Sequence, residues 1–553
     1  MRWWALHLPL LSLEAFCATL PPEQAGRPER PERPERPVAL VAAHRVAAVN
    51  AAAAACGVRA EMKRATALAL ASDLLLAEAS PARDSAALRA VAHAALAFTP
   101  AVVLHDAQTV LMEVQGSLRL FGGPAALHQR LQAALAPLGH RVQMAAAPTA
   151  VGAALLARWW PREGGHEVTY AGPQSGTRHS TRGGLTGPAD AGPHLLLGPH
   201  ATDLAALQAL LAPAPVWLLG PGREHWEALQ GMGLHTLHDL QQMPRAGLAR
   251  RFGTEVLDEL DRALGRRPDP RRWLALPAHF DSRLELLARA ETTDQVLHGA
   301  AVLLARLLAW AQAHQARVGS FTLRMRHERQ RRVLQPPTEL AVALAEPSAE
   351  LAHLQLLLRE RLARLTLTAP TLELQLSCQH LVAGAVPNGE LFPTQASQAE
   401  GLVRLLERLR ARLGDDQVLR LQAVADHRPE HASATVPAQG SASSISPSTK
   451  PSAAPSAAPS ATPGPLPLHR PAWLLPVPQP LAERAALPVL QGRPLQLLSG
   501  PERIETGWWD GAPAVRDYYI AQTPEGALVW VWHARLPDAD EAAPRWYLQG
   551  RFG

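Results

Sequence analysis

Few residues in this chain are placed to do covalent chemistry. Ser, His and Asp are scattered without a nucleophile motif, and no Walker or G-x-G-x-x-G loop is present. Cys17, Cys56 and Cys378 lie far apart with no C-x-x-C, which argues against zinc and disulfides and fits a reducing cytoplasm. What the sequence offers is chemistry for holding anions and partners. Gly220-Pro221-Gly222 before a helix suits a turn in which glycine lets backbone N–H groups approach a phosphate, although the same tripeptide is an ordinary turn. Arg245, Arg250 and Arg251 follow, as phosphate contacts or as a solvated helix face. Phe321-Thr322-Leu323-Arg324-Met325-Arg326 alternates, so Arg324 and Arg326 share one strand face. That face is either a phosphate-binding surface or an exposed, soluble one. Trp508, Trp509, Tyr518 and Tyr519 form a candidate partner hot spot. Trp530 and Trp532, on one face of a strand, read as core.

Such residues need a scaffold, and the composition allows one. The chain has 553 residues, 47 % apolar, 19 % charged and 5 % aromatic, an ordinary globular balance over several domains. Net charge is +5, and the only lysines are Lys63 and Lys450, so the cationic surface is almost wholly arginine. Arginine suits phosphate, but a genome's base composition can also favour it. Met1–Leu20 superficially resembles a secretion signal, yet His7, Pro9 and Glu14 interrupt the run, and a strand entering a helix fits better. No stretch reads as a membrane span.

The periodicity predicts a buried strand over Trp3–Leu11, an extended Arg-Pro-Glu loop from Arg27 to Pro37, and a hairpin over Val38–Ala48 followed by an alanine helix. Leu104–Leu120 reads as two strands around Gly116, and Pro124–Leu138 as an amphipathic helix. Residues 161–195 read as a flexible surface insertion, and Val216–Leu264 as a compact helical unit. Mixed structure follows: a helix over Gln295–Ala313, a basic strand from Phe321, a helix from Ala349 and a strand from Thr371. Ala432–Pro465, rich in Ser, Ala and Pro, reads as a disordered linker before a small aromatic-rich end domain.

Several segments resemble the Y family of DNA polymerases. Glu113-Val114-Gln115-Gly116-Ser117 is similar to the stretch that follows that family's Ser-x-Asp-Glu-Ala strand. Leu6–Phe16 sits where the family has its H-x-D-M-D-A-F-F strand, and Cys56-Gly57-Val58-Arg59-Ala60-Glu61-Met62 resembles a fingers motif. Leu219–Gly222 and Gly233–Leu240 resemble the thumb. On this alignment the family's metal-binding aspartates fall on Pro9 and Leu11, its Asp-Glu pair on Gln108 and Thr109, and its triphosphate-binding Tyr and Arg on Ala51 and Ala54. Asp106 and Glu113 remain nearby, but at a separation of seven on one regular strand they point to opposite faces. Pro244–Gly253, Ala425–Glu430, Gly500–Trp509 and Arg516–Tyr519 extend the resemblance to the ImuB family, polymerase-like subunits of a bacterial SOS mutagenesis cassette.

The resemblance implies a multidomain α+β fold. Residues 1–215 would be palm and fingers, with fingers at 37–84, and 216–270 a helix-hairpin-helix thumb. A little finger would span 275–430, a disordered linker 431–465, and a partner-binding domain 466–553. It also implies a non-catalytic scaffold for translesion synthesis, bound to primer-template or damaged DNA, the sliding clamp, an error-prone C-family polymerase and a RecA-like ImuA protein. The location implied is cytoplasmic and nucleoid-associated. Asn388-Gly389-Glu390-Leu391-Phe392 has the form of a clamp peptide, with Asn388 replacing Gln and Leu391 and Phe392 as apolar anchors. No cofactor is implied; Mg²⁺ enters only on an alternative reading, an active polymerase with a displaced metal site. A protein-only adaptor with vestigial DNA surfaces is the third reading.

Overall fold

The computed structural model describes residues 2–20, 36–159, 195–329, 335–384, 395–438, 470–535 and 545–552. The chain divides into two compact units, Met1–Arg412 and Leu413–Gly553.

The first unit is organised around the strand Trp3–His7, every residue of which is buried. Its side chains alternate between two cores, as a period of two demands. Trp3 and Ala5 join the helix Ala150–Arg158 and the helical segment 216–264, whereas Trp4 and Leu6 join the helices Pro81–Leu96 and Pro124–Leu135. The strand is central in a five-stranded sheet, antiparallel to Thr109–Glu113 on one side and Val142–Ala147 on the other. Two covered faces explain the near-continuous apolar run; each fully buried large side chain contributes about 1.5–3 kcal/mol.

Val38–Ala42 and Arg45–Val49 form the expected hairpin, with Leu75–Glu78 parallel to the first strand. Asn50 caps the helix Ala51–Ala55 by accepting from the Ala53 amide, and it also accepts from the Val38 amide. The two strands expected around Gly116 are placed differently. Val102–Leu104 and Thr109–Glu113 pair across a turn at 105–108, and Gly116 opens the short helix Ser117–Leu120. Apolar residues on both sides of the polar 105–108 stretch mark the true turn, and the glycine marks a helix start instead.

After the helical segment 216–264 come four antiparallel strands backed by the helices Thr293–Ala313 and Leu351–Ala363. Two of these strands, Phe280–Ala290 and Thr338–Ser348, carry no clear signal in the sequence; both mix charge with apolar residues along an exposed face. Thr293–Ala313 is long and apolar enough to cross a membrane, contrary to the sequence expectation, but it is core: twelve of its residues, including Leu303, Leu307 and Trp310, are buried.

The second unit begins earlier than expected. Leu419–Ala423 pairs with Ser433–Pro437, so residues 433–437 of the expected linker are strand, and residues 413–430, expected with the preceding domain, cluster with the second unit. Residues 439–469 and 160–194 lie outside the described residues. From Trp473 onward an antiparallel sheet of seven strands packs Leu481, Val529, Val531 and Leu548 on one side and Ile504, Tyr518, Trp530 and Trp532 on the other.

Candidate functional site

The segments that a metal-dependent polymerase would bring together do converge. His7 pairs with Thr109, and the Leu8 amide donates to the Gln108 carbonyl at 2.8 Å, so Leu8-Pro9 lies against Gln108-Thr109. The side chains there are neutral. His7 Nδ1 lies 3.1 Å from Thr109 Oγ1, and both residues are buried. Burial, with the Arg158 guanidinium second, lowers His7 to about 4, so the imidazole is neutral at neutral pH. Leu11 points into the core. A two-metal centre needs hard oxygen ligands with negative charge, and Pro9, Leu11, Gln108 and Thr109 supply none. These residues do not fit Mg²⁺.

Asp106 does not make up the deficit. It sits in the turn, accepts from the Gln108 amide at 2.7 Å and is ion-paired with Arg158 at the end of the helix Ala150–Arg158. Burial alone would raise its carboxyl; the guanidinium and the amide outweigh this and hold it below the usual range. Glu113 lies at the far end of the strand, accepting from the amides of Arg2 at 3.2 Å and Gln115 at 3.0 Å. Among the described residues no three His, Cys, Asp or Glu side chains are grouped to hold a metal. Ala51 and Ala54, at the triphosphate positions, present exposed methyl groups.

In the helical segment 216–264 the Gly220 amide already has an acceptor, Glu259 Oε2 at 3.0 Å. Gly222 is buried, and a Cβ there would run into the Val216 carbonyl oxygen. Its smallness therefore serves packing. Glu259 is raised above the usual carboxylate range by burial, with Gly220 and Arg158 opposing. It lines a cleft of about 630 Å³ with His105, Asp258, Arg262 and Arg271. Arg245 is ion-paired with Asp261, while Arg250 and Arg251 are exposed on the same helix.

Arg324 and Arg326 do share the outer face of the four-stranded sheet, while Leu323 and Met325 point into the core. Each faces a carboxylate on a neighbouring strand: Arg324 Nε is 3.4 Å from Glu339 Oε1, and Arg326 Nη1 donates to Glu373 Oε2 at 3.1 Å. Asn388, Leu391 and Phe392 lie outside the described residues.

Residues 14–158 match the impB/mucB/samB family. Protein ImuB of two Caulobacter vibrioides strains is 27 % identical over 513 residues, spanning 89 % of this chain and 98 % of the relative. The chain is similar to ImuB over most of its length. Its body is a mixed α+β one with several sheets in two compact units. Among solved structures, a Dbh ternary complex matches with 13 % identity and a TM-score of 0.35, and DinB from Sulfolobus solfataricus with 16 % and 0.35. Each alignment covers 69 % of this chain and all of the other.

In the second unit of this ImuB-like chain, the four aromatic candidates separate. Tyr518 is 1 % exposed and stacks on Trp530 at 4.2 Å, so it is core and not a partner contact; a strand facing two buried tryptophans leaves it no other course. Burial pushes its hydroxyl up to about 12. Tyr519 is half-buried against Trp546. Trp508 and Trp509 are 75 % and 57 % exposed and meet edge to face at 4.7 Å. Sequence reasoning missed Arg428, which holds their turn. Its guanidinium donates to Asp510 Oδ2 at 2.6 Å, to Asp426 Oδ2 at 2.8 Å and to the Ala512 carbonyl at 3.1 Å. The charged Asp426-His427-Arg428 cluster was the available signal, but only the fold shows what it grips.

Proposed function

We propose that this polymerase-like chain is a non-catalytic, DNA-binding scaffold for SOS-induced translesion synthesis and mutagenesis, linking the sliding clamp to an error-prone C-family polymerase. The observation that carries the first half is the palm end. The positions for metal-binding acids hold Pro9, Leu11, Gln108 and Thr109, His7 is neutral, and Asp106 is committed to Arg158. Nucleotidyl transfer by this family's two-metal chemistry has no charged cage to work in.

DNA contact is assigned to the turn at Gly220, whose packing the buried Gly222 permits, to Arg245, Arg250 and Arg251, and to Arg324 and Arg326 of the sheet. Clamp capture falls to Asn388, Leu391 and Phe392. The exposed Trp508-Trp509 pair is an anchor for a protein partner, since large aromatics held rigidly in water typify hot spots. The RecA-like ImuA protein and the C-family polymerase are the candidates. One observation favours a protein-only adaptor instead: the Gly220 amide and Arg245, Arg324 and Arg326 already have carboxylate partners.

Primer extension with Mg²⁺ or Mn²⁺, beside an active Y-family enzyme, tests the reading. No incorporation with retained, salt-dependent DNA binding supports the scaffold. Incorporation that disappears on Asp106→Ala overturns it, and absence of DNA binding points to the adaptor.

A further inference from the structure

The outer face of the four-stranded sheet carries as much acid as base. By strand alternation Asp281, Arg283 and Glu285, then Arg324 and Arg326, Glu339, and Glu373 all point outward. The register sets Arg324 opposite Glu339 and Arg326 opposite Glu373, so the pairing is built into the sheet. It also sets Glu373 opposite Glu285, an unfavourable like-charge pair that Arg326 relieves. Glu373 Oε1 is buried with no donor among the described residues, and its other oxygen holds Arg326. Exposed ion pairs of this kind contribute little to stability. Their effect on a polyanion is larger. A phosphate approaching either arginine must displace a carboxylate and then lie beside it, well within a Debye length.

We propose that Glu339 and Glu373 are affinity-setting residues, competing with DNA phosphate for Arg324 and Arg326 and keeping duplex binding by this sheet weak and shallow in its salt dependence. The thumb repeats the arrangement, with Glu259 on the Gly220 amide and Asp261 on Arg245. This rests on the reading that the sheet is a DNA surface.

The test is primer-template binding by the full chain, followed by fluorescence anisotropy from 50 to 200 mM salt (roughly the range over which phosphate contacts are resolved). E339Q/E373Q keeps side-chain size and removes both charges. It is expected to bind about 5–30-fold more tightly at roughly 0.1 M salt, with a log–log salt slope steeper by up to about 1.8, the increment for neutralising two more phosphates. Adding R324A/R326A should cancel the gain. If R324A/R326A alone weakens binding but E339Q/E373Q does not tighten it, the competition is refuted and the DNA surface stands. If R324A/R326A alone changes nothing, the DNA surface is itself refuted, and this inference with it.

Discussion

Three imidazoles in the first unit make its stability depend on acid in a way that can be worked out. Burial, the largest cause in each case, lowers His7, His93 and His105 from 6.5 to about 4. Arg158 adds to this at His7 and Arg89 at His93, while at His105 Asp106 opposes and Arg271 assists. Between pH 6.5 and 4 the unfolded chain takes up protons that the folded chain refuses. Stability from these groups is therefore fully present above pH 6.5 and is lost as pH falls towards 4. Going from pH 7 to 5 costs about 2 kcal/mol per imidazole, or roughly 5–6 kcal/mol for the three. That is comparable to the whole stability of an ordinary domain, ~5–15 kcal/mol. Urea unfolding of the full chain at stepped pH, with His7→Asn, His93→Asn and His105→Asn singly and together, measures it. The comparison is between slopes against pH, because each substitution also shifts the absolute level. Each single variant should lose about one third of the slope, on the order of 2 kcal/mol across this window. A triple variant with the wild-type slope would refute the assignment of acid sensitivity to these side chains.

Other expectations concern packing and binding. Gly222→Ala should destabilise by about 1–3 kcal/mol, because its methyl has only the Val216 carbonyl to push against; a urea midpoint at the wild-type value would contradict that. Leu391→Ala with Phe392→Ala should abolish capture on immobilised sliding clamp, and persistence of binding would remove the peptide from the clamp site. Trp508→Ala with Trp509→Ala should weaken a direct partner complex at least tenfold with little change in melting temperature, since both rings are exposed; calorimetric titration with each candidate partner reads this.

Much of this protein can be read directly from its amino-acid order. The apolar run of Trp3–His7, the helix over Pro124–Leu135 and the alternation of Phe321–Arg326 follow from periodicity, because burial on one or two faces imposes a period that composition records. Residue type at Pro9, Leu11, Gln108 and Thr109 is equally visible, since a side chain without a charge has none in any fold. The turn at 105–108 escapes a sequence reading because a glycine signals a break without saying which kind. The core role of Tyr518 escapes it because a tyrosine's polar hydroxyl does not disclose that Trp530 and Trp532 cover its ring. Partners distant in the chain were beyond reach altogether. Arg158 on Asp106, Glu259 on the Gly220 amide, Glu373 on Arg326 and Arg428 on Asp510 join residues separated by 39 to 82 positions. An arginine in a sequence is only a potential cation for phosphate. Tertiary structure alone decided which carboxylate reaches it first, because charge interactions depend on distance through space and not on distance along the chain.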